Sequence, residues 1–267
     1  MIAENVKLVD AVCEVIDARI PFSSRNPDLD EMTGGKPRLI IINRSDQADP
    51  DSTAKWNNYF KTNGVITLVI DGKSGRNVNK LSPALRELLA GKLEKYSQKG
   101  QAGRKLRAMV AGIPNVGKST FINKAAGRKA AAASDKPGVT RGKQWVNIDD
   151  GLELLDTPGV LWPRFDDNTV AENLAFTGAI RDEVIDVEAL GANLMLRLKM
   201  FYPDQIRLRY KLIPENYSSG FEMLAQAAKN RGFLIPGGEY DINRMAVILL
   251  DEFRGGILGR ITLEQPD

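Results

Sequence analysis

Nine consecutive residues constrain this chain more than any other stretch: Gly112-Ile113-Pro114-Asn115-Val116-Gly117-Lys118-Ser119-Thr120 fits G-x-x-x-x-G-K-[ST]. An apolar run, Leu106 to Ala111 broken only by Arg107, precedes them, and a helix-like stretch, Thr120 to Ala126, follows. The order predicts a strand, a tight loop and a helix N-terminus. That geometry aims successive main-chain N–H groups and the positive end of a helix at phosphate oxygens. Within it Lys118 reaches the β- and γ-phosphates and the Ser119 hydroxyl ligates Mg²⁺. The loop alone does not choose the nucleotide.

Four other segments place polar residues after apolar runs or in loops where a nucleotide could reach them. Leu39 to Ile42 reads as a buried strand ending at Asn43-Arg44-Ser45-Asp46, which fits N-x-x-D. A carboxylate at Asp46 can accept from N1–H and the exocyclic amine of guanine, and it rejects adenine, which offers an acceptor there and lacks that amine. Val65 to Ile70 is a third strand, ending at Asp71-Gly72-Lys73, a base-backing loop. Gln144 to Ile148 and Leu152 to Leu155 flank Asp149-Asp150-Gly151 as a hairpin, and its second strand empties into Asp156-Thr157-Pro158-Gly159. Here Asp156 would hold Mg²⁺ through water, and the Gly159 N–H would meet the γ-phosphate. Thr140, in the small-residue loop Ala130 to Gly142, is placed to close over Mg²⁺ and the γ-phosphate. The base-reading pair comes before the phosphate readers, the reverse of ordinary regulatory GTPases. Cutting that fold in a surface loop and joining its old ends leaves every strand-end loop in place, so the expectation is an α/β P-loop GTPase fold in circularly permuted order.

The remaining strands and helices support that class. Val6 to Ile16 reads as a turn of helix entering a buried strand that delivers Asp17-Ala18-Arg19 to a rigid polar loop reaching Pro27. Helices are expected at Ser52 to Asn63 and, as one amphipathic element, at Asn79 to Tyr96. Strands alternating with helices argue a parallel, doubly wound sheet with its ligand beyond the strands' carboxyl ends. Past Trp162 only helical periods recur, at Thr169 to Phe176, Val187 to Phe201, Ser219 to Arg231 and Ile242 to Glu252. Asp204 to Leu212 is ambiguous, and Gly255 to Asp267 reads as a fraying tail. The expected domains are therefore 1–165 and a small all-α module, 166–267, with Leu194, Leu198, Phe221 and Leu224 facing inward.

Composition excludes several classes. In 267 residues there is no histidine, which removes histidine metal sites and Ser-His or Cys-His hydrolysis from within the chain. The single cysteine, Cys13, lies in an apolar run and fits a reducing cytoplasm. No apolar run approaches the roughly 18 residues that span a bilayer. A net charge of +3 does not by itself establish nucleic-acid binding. Basic residues nevertheless cluster at Lys92 to Arg107 and at Arg197, Lys199, Arg207, Arg209 and Lys211, as either solvated helix faces or an RNA surface.

Asp17-Ala18-Arg19-Ile20-Pro21 with Ser24-Arg25-Asn26-Pro27, the phosphate loop, Lys136-Pro137-Gly138-Val139-Thr140 and Leu155 to Gly159 together resemble the bacterial ribosome biogenesis GTPase A family, YlqF/RbgA. The resemblance spans nearly the whole chain. It implies a GTPase that binds rRNA and ribosomal proteins of the immature large ribosomal subunit late in assembly, leaves after hydrolysis, and is a monomer elsewhere. It also implies that Asn115 coordinates K⁺, and that water is oriented without the glutamine of Ras-like enzymes, since Val160 and Leu161 follow Gly159. Three departures stand out: Arg44 replaces the usual lysine, Asp71-Gly72-Lys73 replaces Ser-Ala-Lys, and the chain starts after the family's Phe-Pro-Gly-His-Met-like segment with its candidate catalytic histidine. Two other functions fit the same core: a GTPase acting on another RNA in translation or tRNA maturation, and a weakly hydrolysing nucleotide-dependent scaffold.

Overall fold

Every residue of Ala11–Asp17 (β1) is buried, and so are five of the six in Arg38–Asn43 (β2). Strands that bury both faces belong inside a sheet covered on both sides. The computed structural model, which describes residues 2–101, 103–127, 144–162 and 167–266, places them there. With Ile66–Val69 (β3), Leu106–Gly112 (β4), Gln144–Asp149 (β5) and Leu152–Asp156 (β6) they form one sheet of order β3-β2-β1-β4-β6-β5. All neighbours are parallel except β5, which pairs antiparallel with β6 as the hairpin expected from sequence. Its alternation of half-buried and exposed residues is that of an edge strand.

Register does the positioning. Asp17 pairs with Asn43, Val15 with Gly112, and Val110 with Asp156, so the loops after β1, β2, β4 and β6 leave from one edge of the sheet. Among the helices are Ile2–Val6 (α1), Leu29–Thr33 (α2) and Pro50–Thr62 (α3). The amphipathic stretch expected as one helix is two, Leu81–Leu88 (α4) and Ala90–Gln98 (α5), preceded by a 3₁₀ turn at Val78–Lys80. Leu89 leaves helical geometry at φ −106°, ψ 17° with its side chain buried, and Gly91, a weak helix former, follows the break. Lys118–Ala126 (α6) starts directly on the phosphate loop.

The chain separates into two units: Met1–Asp46, Pro50–Arg164 and Glu264–Asp267 in the first, and Gln47–Asp49 with Phe165–Leu263 in the second. The tail read as fraying is ordered. In the first unit Glu264 accepts the Phe22 N–H at 2.7 Å, the Ser23 N–H at 3.1 Å and the Ser23 hydroxyl, while its carbonyl accepts the Trp56 indole N–H at 3.1 Å. In the second, the Ile261 N–H donates to Gln47 O at 2.9 Å and the Asp49 N–H to Thr262 Oγ1 at 3.1 Å. Residues 261–263 are buried.

The second unit is helical: Asn168–Phe176 (α7), Val187–Phe201 (α8), Pro203–Tyr210 (α9), Gly220–Arg231 (α10) and Ile242–Arg254 (α11). Side-chain caps fix four of the starts, at Asp167, Asp186, Ser219 and Asp241, and Ser219 with Glu222 forms a full capping box. The ambiguous segment becomes α9 because Pro203 suits the first helical turn. Leu194, Leu198 and Leu224 are buried as expected, but Phe221 is about half exposed. Its neighbours Gly220, Met223, Leu224, Ala227 and Ala228 take the inward stripe at helical spacing, and Phe221 falls beside it. Among the described residues no helix is long and apolar enough to cross a membrane.

Candidate nucleotide site

The phosphate loop leaves β4 and turns through Asn115 and Gly117, both left-handed at φ +58° and +93°, before α6 begins. Gly117 has a second reason to lack a side chain, since a Cβ there would lie 2.6 Å from Asn43 Nδ2. That contact marks how closely the loops after β2 and β4 approach. Asn43 braces three of them: its Nδ2 donates to Val116 O at 2.8 Å, and its Oδ1 accepts the Gly72 N–H at 2.9 Å. Arg44, itself left-handed at φ +61°, donates from Nη2 to Asn115 O at 2.7 Å.

Lys118 is buried and donates to the carbonyls of Gly112 at 3.1 Å and Ile113 at 2.8 Å. Burial pulls its ammonium down to about 8, against the stabilising charge of Asp156. The Ser119 hydroxyl stands 3.3 Å from Asp156 Oδ2 and donates to it, which brings together a hydroxyl and a carboxylate, hard oxygen donors of the kind Mg²⁺ prefers. Thr157 fixes the segment after β6 by donating its hydroxyl to Val110 O at 2.7 Å. Gly159 closes against the phosphate loop, where a Cβ would meet Pro114 Cα at 2.7 Å and Lys118 Nζ at 2.9 Å, so this position excludes any side chain. The Val160 N–H donates to Gly112 O at 3.3 Å, and the Val160 side chain packs on the apolar cluster of Val6, Val9, Val12, Leu29, Met109, Ala111 and Leu155.

The structure thus brings Gly112 to Ser119, Asn43, Arg44, Gly72, Asp156 and Gly159 together. Asp46 sits half-buried in the loop after β2. Asp71 serves its own turn, its Oδ1 accepting the N–H groups of Lys73 at 2.9 Å and Ser74 at 3.1 Å, and the Lys73 and Thr120 side chains are exposed. Thr140 lies outside the described residues. Sequence reasoning missed the part played by Asp17 and Arg19. Both are buried at the end of β1, joined by Arg19 Nε and Nη2 to the carboxylate at 2.9 and 2.7 Å, with Arg44 Nε 3.6 Å from the same carboxylate. The signal was present as an Asp-x-Arg at a strand end. Burial works to raise the Asp17 pKa, but the charge and hydrogen bonds of Arg19, with the charge of Arg44, hold it below the ordinary carboxylate value.

A mostly parallel sheet with a phosphate loop on an interior strand, D-x-x-G beside it, and the N-x-x-D loop earlier in the chain defines a P-loop GTPase of circularly permuted order. Residues 107–193 match the family model described as 50S ribosome-binding GTPase. Over its full length the chain is 41% identical to ribosome biogenesis GTPase A of Bacillus cereus, covering 90% of that protein. It is 42% identical to the one of Priestia megaterium, over 99% of this chain and 92% of that one. A GDP-bound structure of TM YlqF superposes over 99% of this chain and 98% of its own, with a TM-score of 0.71 and 28% identity. The chain belongs to the ribosome biogenesis GTPase A family and is a GTPase.

Proposed function

We propose that this GTPase acts late in maturation of the large ribosomal subunit, binding rRNA and ribosomal proteins with GTP in place and leaving after hydrolysis, as a monomer in the cytoplasm between rounds. The observation that carries the nucleotide half of this reading is the Asn43 brace, which ties the base-reading, base-backing and phosphate loops into one pocket wall. Asp46 selects guanine. Gly112 to Thr120 wraps the phosphates, with Lys118 neutralising β- and γ-oxygens, and Gly159 offers its N–H to the γ-phosphate. Ser119 and Asp156 are the residues that would hold Mg²⁺, Asp156 through water, and Thr140 would join them; the metal would supply positive charge to the triphosphate. Asn115 is the residue that would hold K⁺. Val160 and Leu161 carry no group that orients water, so the nucleophile is positioned by other means, with the subunit accelerating the step.

The ribosome half rests on the family and on the helical unit's charge. Four of its arginines form ion pairs within the unit: Arg207 with Asp204 and Glu215, Arg209 and Arg231 with buried Glu252, and Arg254 with Asp182. Arg197, Lys199, Lys211 and Lys229 are left to meet rRNA phosphates, with Lys199 also donating to Tyr217 O at 2.7 Å. The test is to capture the tagged chain from a cell extract supplied with GDP or a non-hydrolysable GTP analogue and identify the RNA retained with it. Large-subunit rRNA held only in the analogue state is expected. Recovery of tRNA instead would favour the alternative RNA substrate. Arg197→Glu with Lys229→Glu should weaken subunit binding in a salt-dependent manner and leave GTP affinity of the free protein intact.

A further inference from the structure

Two of the four non-glycine residues with positive φ among the described residues touch each other: Arg44 at +61° and Asn115 at +58°. They lie 71 positions apart, in different strand-end loops, and Arg44 Nη2 donates to Asn115 O at 2.7 Å. Left-handed backbone at a residue with a Cβ is strained and persists where the surroundings hold it. The structure identifies what holds this pair. Arg44 Nε is 3.6 Å from Asp17 Oδ2, so two neighbouring nitrogens of one guanidinium face the end of β1 and the phosphate loop. The Asp17 carboxylate is itself immobilised, accepting Arg19 Nε, Nη2 and main-chain N–H at 2.9, 2.7 and 3.0 Å, while the Asp17 N–H donates to Ser24 Oγ at 2.9 Å.

We propose that Asp17 is a positioning residue of the GTPase site: with Arg19 it fixes the Arg44 guanidinium, and Arg44 holds the phosphate loop at Asn115 in its binding geometry. The inference rests on the nucleotide reading of this loop given above. It also gives a reason for arginine rather than lysine at this position. A guanidinium is a planar fork whose several nitrogens are held in fixed directions, able to face two acceptors at once, whereas an ammonium is a point donor.

The test uses the full chain with a fluorescent GDP and steady-state turnover. Asp17→Asn and Arg44→Met should each weaken GDP binding and raise KM for GTP about tenfold. The double variant should be no worse than the weaker single variant by more than twofold, because both break one linkage. Independent effects multiplying toward a hundredfold would overturn the proposal. So would an Asp17→Asn protein that melts earlier but binds GDP within twofold of the parent, since that is a purely structural role. If Asp17→Asn fails to fold, Arg44→Lys decides: it keeps the charge but cannot face both acceptors, so it should bind like Arg44→Met, and parental affinity would refute the linkage. Lys118→Ala serves as the control for the site itself. Parental GTP affinity in that variant would remove the nucleotide reading whatever the Asp17 variants show.

Discussion

Lys118→Met should make the nucleotide-free GTPase unit more stable while abolishing its use of GTP. The ammonium is buried and its pKa falls from 10.5 to about 8, which corresponds to a cost of about 3 kcal/mol for keeping it charged at neutral pH. Methionine fills similar space without the charge. It removes donors from Gly112 O and Ile113 O, a loss of about 1 kcal/mol for each carbonyl left short. The balance is a gain of about 1 kcal/mol at pH 7. A pH signature accompanies it. Between pH 8 and 10.5 the unfolded chain binds more protons at this lysine than the folded one, so the parent's stability from this group rises with pH across that window, and the variant lacks the rise. Urea unfolding followed by tryptophan fluorescence measures it, because all three tryptophans, Trp56, Trp145 and Trp162, belong to the first unit. A variant with a lower midpoint than the parent at pH 7, and the same change between pH 7 and 9.5, would refute the reasoning.

Asp46→Asn should exchange an acceptor for a donor and move preference from GTP toward XTP, measured by competitive displacement of a fluorescent guanine nucleotide; equal binding of GTP and ATP by the parent would exclude guanine reading. Replacing K⁺ by Na⁺ at constant ionic strength should slow hydrolysis, and Asn115→Ala should remove most of that difference; turnover indifferent to K⁺ returns Asn115 to a loop-building role. In the helical unit, burial works to raise the Glu252 pKa, but hydrogen bonds from Arg209, Tyr210 and Arg231 and the charge of Arg231 hold it below its ordinary 4.5. Its contribution is therefore present above pH 4.5 and lost as pH falls below that value, and Glu252→Gln should lower protection of α9 to α11 amides from hydrogen exchange by about 2 kcal/mol at pH 7 and by less at pH 4.

What could be read from sequence was what is written locally. The phosphate loop, N-x-x-D and D-x-x-G each carry their chemistry within a few residues, and the apolar runs before them fix the strands that align them. The hairpin was legible because Asp149-Asp150-Gly151 is turn chemistry between two strand patterns. The break at Leu89 was hidden because the leucine spacing runs through it unchanged. Asn43 as a brace was invisible since both its partners come from other loops, at Val116 and Gly72. The same holds for the basic faces: Arg209 and Arg231 look solvent-directed beside their neighbours, and only the fold reveals that Glu252, 43 and 21 positions away, receives them. The tail looked loose because Glu264 finds Phe22 and Ser23 some 240 positions earlier.

That last separation bears on how the protein is made. Translation delivers the chain from its N-terminus, at about 5–20 residues per second. The Phe22 and Ser23 amides and the Trp56 indole therefore emerge long before the glutamate that receives them, with the whole of Phe165–Leu263 synthesised in between. At those speeds the nascent GTPase unit waits roughly 5–20 seconds for its final hydrogen bonds. Its completion is thus a late event, coupled to the appearance of the helical unit, and a chain released before residue 264 would carry every nucleotide motif without the carboxylate that secures the loop after β1.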